Sequence, residues 1–361
     1  MKIYSLILLM INVQLFAQSF TNPNIEFSPK SYICYKTSSP LTIDGKMDEP
    51  GWWLAMWTDY FIDIEGSAKP TPRFQTRVKM LWNEKYFYIA AELEEPDVWA
   101  TLTERDAVIF YDNDFEVFID PDGDTHEYYE FEMNALNTVW DLLLTKPYRD
   151  NGTAVNAWDI KGLKSTVQVQ GTINNPVDKD KGWTVEIAFP WDVLKECSHK
   201  TAPPKSGDQW RVNFSRVEWK VETKDGKYQK VIDPKTGKSF PEDNWVWSSQ
   251  GLINMHYPEM WGFVQFSSMI IGTGGINTYN FNTEEKAKWV LRKIYYEEKK
   301  CFEVNKKYTT DLHELGLMNL KVEGYSSPII QTTTHSYEAV IVSVDGKTKW
   351  HISQDGRTWQ E

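Results

Sequence analysis

From residue 74 onward, apolar and polar positions alternate with a period of two. Phe74, Thr76, Val78, Met80 and Trp82 interleave with Gln75, Arg77 and Lys79, and Leu81 is the exception. The turn Asn83-Glu84-Lys85 joins this run to a second alternating run over 86–93, which predicts a hairpin. Further strands are predicted over 115–120 and 128–134, joined by Pro121-Asp122-Gly123-Asp124, and over 137–145. Residues 166–171 should pair with 182–189, where Trp183, Val185, Ile187 and Phe189 share a face. Residues 209–218 alternate again through Trp210, Val212 and Phe214. Many short strands with Gly- and Pro-bearing connections and no long helices between them predict a mainly β chain. The expected architecture is an antiparallel β-sandwich of the jelly-roll or immunoglobulin-like kind, spanning about 31–268. A parallel α/β fold is excluded.

The period then changes. Residues 267–282, with the Gly-bearing run Ile271-Gly272-Thr273-Gly274-Gly275, read as a linker, and 283–315 as a helix. Thr283 would cap it, Glu284 and Glu285 sit in its first turn, Val290, Leu291, Ile294 and Tyr295 recur at helical spacing, and Gly316 would end it. Strands are expected again over 337–344 and 350–353. Residues 282–361 therefore predict a small C-terminal α+β unit of its own, and a chain ended at Ser268 should still fold.

At the other end, Lys2 precedes the apolar run 3–16, which closes on Leu15-Phe16-Ala17. This reads as a signal peptide over 1–17, too short for a transmembrane segment, and no later stretch supplies one. Export to the periplasm, the cell surface or the medium follows. The formal charge of -12 disfavours nucleic acid and anionic membranes. Cys34, Cys197 and Cys301 are far apart, so at most one pair could bridge and no metal-type spacing exists. Aromatic residues make up 14% of the chain; many will be core, and in an exported acidic β chain they suggest faces for sugar rings, although large aromatics also simply fill sandwiches.

A series of phrases resembles the family 9 carbohydrate-binding modules. It begins with Leu41-Thr42-Ile43-Asp44-Gly45-Lys46-Met47-Asp48-Glu49 before Trp52 and Ala55, and continues through 78–82 with 86–91. Asp114-Phe115-Glu116-Val117-Phe118-Ile119-Asp120, 128–134, 182–191, 207–216, Trp247-Ser248 and Trp261-Gly262-Phe263 complete it. The resemblance implies a sugar-binding sandwich, often with structural calcium and often attached to secreted glycan-degrading enzymes. It places the family's principal stacking tryptophan at Phe110, with Tyr111 beside it, and its second near Met255 or His256. The family's arginine on the following strand falls at Glu132.

Candidate carbohydrate-binding residues are therefore Trp99, Arg105, Phe110, Tyr111, Glu132, Trp140 and Trp247, with Trp158 a further ring for the same concave face. Each aromatic has core packing as its alternative, and Arg105 with Glu132 could form an ordinary ion pair. For metal, Asp120, Asp122 and Asp124 space carboxylates at alternate positions as oxygen-rich calcium loops do, without matching the EF-hand pattern. Polar turns of that composition also occur without an ion. Asp44 is either turn chemistry before Trp52 or a further calcium ligand. No nucleophile elbow, P-loop or H-E-x-x-H motif is present, and scattered carboxylates do not define a catalytic pair. The expected function is non-catalytic recognition of a poly- or oligosaccharide in glycan utilisation, alongside other glycan-degrading proteins. The alternatives are a glycoside hydrolase or lyase, and a structural protein with a degenerate sugar site.

Overall fold

The computed structural model describes residues 20–361, so the expected signal peptide lies outside the described residues. The chain opens with β1 (Ser31–Lys36), a short helix α1 (Pro50–Leu54), β2 (Ile62–Asp63), β3 (Thr76–Trp82) and β4 (Tyr86–Glu94). It continues with β5 (Asp114–Asp120), β6 (Tyr128–Asn134), β7 (Val139–Leu144), β8 (Ala154–Val155), β9 (Lys164–Gln170) and β10 (Gly182–Pro190). Then come the helical turn α2 (Trp191–Leu194), β11 (Gln209–Glu218), the hairpin β12 (Val221–Lys224) and β13 (Lys227–Lys230), β14 (Asp243–Val246) and β15 (Gly262–Ile270). The chain ends with α3 (Glu284–Asn305), β16 (Ile329–Thr332), β17 (Tyr337–Val342), β18 (Lys349–Ser353) and β19 (Thr358–Gln360).

Two layers face each other across one core. Val78, Met80, Phe87, Ile89, Val185 and Ile187 on β3, β4 and β10 meet Phe115, Val117, Phe131, Val212 and Phe214 on β5, β6 and β11. Alternation produces this directly, because every second side chain of a strand points to the same face. The layers are also joined by hydrogen bonds into one continuous sheet, in the order β8-β7-β6-β5-β11-β15-β1-β3-β4-β10-β9. Strand β1 is the bridge, and it runs parallel to both β15 and β3. The sandwich is thus mixed rather than wholly antiparallel. Leu81 breaks the alternation because β3 is covered on both sides: its outer face packs Leu81 against Trp52 and Ala55.

The C-terminal region is α+β as expected, with β16 to β19 in one antiparallel sheet against α3. The helix is shorter than its pattern suggested. It stops at Lys306, which takes a left-handed conformation (φ 54°) and returns its N–H to Phe302, so Gly316 is not its cap. Phe302 then stacks on Tyr308 with ring centroids 4.6 Å apart, which holds the reversal. At the other end Asn282 takes the capping role assigned to Thr283: its Oδ1 accepts the Glu284 N–H at 3.1 Å.

Val290, Leu291, Ile294 and Tyr295 are buried, but in a cluster that also contains Tyr257 and Met260 of the sandwich. The region therefore shares a core with the sandwich. Charges tie the seam as well. Arg149 donates to both carboxylate oxygens of Glu259 at 2.9 Å, and Tyr296 donates to Glu259 at 2.7 Å. Arg211 donates to Glu285 at 2.6 Å. Among the described residues no helix is long and apolar enough to cross a membrane, and all three cysteines are unpaired.

Candidate functional site

The face of β5, β6, β7, β11 and β14 that points away from the core forms the floor of a cleft of about 340 Å³. Strand register explains its lining. Asp114, Glu116 and Phe118 share one face of β5, while Phe115, Val117 and Ile119 go to the core. Glu116 lies opposite Glu132 and Phe118 opposite Glu130 on β6, and Glu132 in turn lies opposite Trp140 on β7. Val217 and Asn244 extend the floor on the other side.

Two segments wall the cleft. The first is the connection 98–112. Asp112 accepts the N–H groups of Thr101 and Leu102 at 2.8 Å, and Asn134 donates to Asp112 at 3.0 Å, pinning the loop to the end of β6. Phe110 donates its own N–H to Glu132 at 3.1 Å and accepts the Trp219 indole N–H at 2.9 Å. Its ring is thereby set at the rim, 4.9 Å from that of Tyr111. The second wall is the segment carrying Ile253, Asn254, Met255 and His256. His256 sits against Tyr148 (4.5 Å between centroids) and 2.9 Å from the Tyr128 hydroxyl. Burial and then the Arg149 charge pull its pKa down to about 3, so the ring is neutral at neutral pH.

The cleft floor is acidic to an unusual degree. Burial first, and the neighbouring carboxylates after it, hold Asp114, Glu130 and Glu132 well above the ordinary carboxylate range. Burial pushes Glu116 up to about 7. Among the described residues none of these four forms an ion pair with a cationic side chain.

Of the residues expected to bind sugar, Phe110, Glu132 and Trp140 meet in this cleft. Tyr111 stands beside it, 55% exposed. The others are elsewhere. Trp247 is buried in the sandwich core, where Gly262 leaves room for its ring: a Cβ on Gly262 would come within 2.4 Å of it. Trp99 is buried in a cluster with Val217 and Trp219, against which Phe110 packs. Trp158 stacks on Tyr129 at 5.0 Å and donates to Glu196. Arg105 does not reach Glu132; it pairs with Asp141 and, at 2.9 Å, with Asp159. The pattern had not singled out Glu116, Glu130, Tyr148 or Asn244.

The metal candidates separate in the same way. Oxygens of Asp120, Asp122 and Asp124 lie within 4.8 Å of one another, a spacing that could hold a metal ion. Asp120 there accepts the N–H groups of Gly123 and Thr125, both at 2.9 Å. Asp124 accepts the His126 N–H at 2.7 Å and Arg357 Nε at 2.8 Å. The loop is therefore also a docking point for the C-terminal region. Asp44 belongs to no such cluster among the described residues. It accepts its near neighbour Lys46, whose ammonium lies 2.9 Å away and whose backbone N–H lies 3.1 Å away. What organises that turn is Glu186 of β10, which accepts the Gly45 N–H at 2.6 Å and the Trp52 indole N–H at 2.6 Å.

No curated protein matches the chain. Among solved structures, a family 9 carbohydrate-binding module from Caldicellulosiruptor kristjanssonii, in complex with cellotriose, is 15% identical. It aligns over 68% of this chain and 100% of its own, with a TM-score of 0.41. A putative carbohydrate-binding protein from Bacteroides uniformis is 16% identical over 66% of this chain and 100% of its own, with a TM-score of 0.48. Residues 43–247 match the model of the carbohydrate family 9 binding domain-like family, and the chain belongs to that family.

Proposed function

We propose that this protein is an exported, non-catalytic carbohydrate-binding protein of glycan utilisation, and that its sugar lies in the cleft over β5, β6 and β7. The observation that carries this is the join of ring faces and planar polar groups on a rigid floor. Phe110, Trp140 and Tyr148 offer flat apolar surfaces for the C–H face of a pyranose. Asn244 and Asn254 offer amides for hydroxyls, and the buried Trp140 indole N–H has no protein partner among the described residues. A volume near 340 Å³ is at the small end of ligand clefts and suits a single sugar or the end of a chain. The family match supports the ligand class. Calcium fits the Asp120-Asp122-Asp124 loop as a structural ion, because hard cations take clustered carboxylate oxygens.

The raised carboxyls of the floor favour one rival reading, a glycoside hydrolase using Glu116 and Glu132 as acid and base. One set of measurements separates the two. Calorimetry of the mature protein with glucose, cello-oligosaccharides and xylo-oligosaccharides should give binding near millimolar for a single sugar, about -4 kcal/mol, and tighter for longer chains. Trp140→Ala should abolish it, whereas Trp158→Ala, outside the cleft, should not. Release of reducing ends from any of these glycans would replace the binding module with the enzyme.

A further inference from the structure

We propose that Asp114, Glu116 and Glu132 hold a hard divalent cation of the calcium kind at the floor of the cleft, with its open coordination positions facing the sugar. The second half of that statement rests on the sugar reading above; the first does not. One oxygen from each of the three lies within 4.8 Å of the others, so a single ion can reach all of them. The three side chains are 0%, 5% and 1% exposed.

Such an arrangement is costly without a counter-charge. Like charges directly opposite on neighbouring strands repel, and Glu116 faces Glu132 in register. Buried charges in folded proteins are paired or bound to metal. These have no cationic side chain as partner among the described residues, and their hydrogen bonds are few: Asp114 accepts the Val217 N–H at 3.1 Å and Glu132 that of Phe110 at 3.1 Å. Asp114 keeps a second carboxylate oxygen that is buried and without a partner.

An independent observation points the same way. Glu130, outside the trio, is 6% exposed and lines the same cleft. One of its oxygens is also buried and unpartnered, and the charge acting on it is that of Glu116. The Asp120 loop differs, because two backbone amides meet Asp120, and a backbone amide and Arg357 meet Asp124. Three carboxylate oxygens leave at least about half of calcium's six to eight positions free, enough for water or a vicinal diol.

Terbium luminescence tests the site on the mature, chelator-stripped full chain. Trp140 lies opposite Glu132, close enough to sensitise a terbium ion held there. The expected result is tryptophan-excited emission that calcium displaces, weakened by more than about tenfold in ion affinity in both Glu116→Gln and Glu132→Gln. These isosteric changes should leave the circular dichroism unchanged, and Asp122→Asn should keep the signal. No emission, or emission lost only in Asp122→Asn, overturns the cleft ion. Sugar titrations on the same preparation keep the two readings apart. Sugar bound equally well in chelator, with no terbium signal, overturns the cation and leaves the sugar site standing. A terbium signal with no sugar bound does the reverse.

Discussion

Two regions of the protein bury carboxylates on opposite terms. At the seam with the C-terminal region two buried acids have each met a base. Glu259 receives Arg149, and Glu285 receives Arg211 and Lys288. Although burial opposes it, these cations hold both carboxyls below the ordinary glutamate range. In the cleft, Asp114, Glu116, Glu130 and Glu132 meet no cationic side chain among the described residues, and their pKa values move up. Charge at the seam is spent inside the molecule. Charge in the cleft is left over, which is the condition of a surface built to meet something else.

The largest consequence should appear at the seam. Arg149→Met removes the guanidinium that donates to Glu259, to the His256 carbonyl at 2.8 Å and to Tyr295 at 3.1 Å. It leaves Glu259 buried with the Tyr296 hydroxyl and, 3.9 Å away, Arg292 as its remaining partners. Breaking a buried pair in this way costs about 3–5 kcal/mol. Urea unfolding should show a loss on that scale, and a chain ended at Ser268, which also strips Tyr257 and Met260 of their cover, should lose more. Wild-type stability in either would mean that the seam is not where the charge is used.

Much of this frame is legible along the chain, and the reason for what is not is specific. Period-two alternation places Phe115, Val117 and Ile119 inside, and the paired strands follow from it. The same alternation puts Asp114, Glu116, Glu130 and Glu132 on the other face, which ordinarily meets water. They are buried because the loop 98–112 and the segment around Met255 close over that face, and neither closure has a periodic signature. The resemblance located those two walls, at Phe110 and at Met255 or His256, so it found the cleft where periodicity could not. It did not find the four acids as a group, since their meeting depends on the register of β5 against β6. Trp247 shows the opposite limit: a tryptophan in the core and one on a rim look alike in sequence. The parallel placement of β1 and the early stop of α3 were likewise set by partners distant in the chain.

A middle-sized effect separates the regions by pH. Because the folded state holds Glu285 and Glu259 below the ordinary glutamate value near 4.5, their contribution is fully present above that pH. It should fall away as pH drops below about 4.5 and through the depressed folded values. Glu285→Gln gives up the charge that Arg211 and Lys288 meet, so it should cost about 1.5–3 kcal/mol at pH 7 and much less at pH 3. Melting curves of the pair at both pH values measure the difference. An equal cost at both would show that Glu285 acts through shape alone.

The smallest effect is expected in the cleft, and its sign matters more than its size. Glu130 sits on β6 opposite Phe118, buried, with one oxygen unpartnered and the charge of Glu116 acting on it. Glu130→Gln keeps the shape, removes one of the crowded acids and adds an amide that can donate to Glu132. Relief of a like-charge contact between neighbouring strands is worth about 0.2–1 kcal/mol. In chelator at pH 7 the variant should therefore melt slightly above the wild type, the reverse of both changes at the seam. With calcium present the gain should shrink, because the ion already supplies the missing positive charge. A variant less stable than wild type in chelator would show that the Glu130 carboxyl has a partner, and the contrast between paired seam and unpaired cleft would not hold.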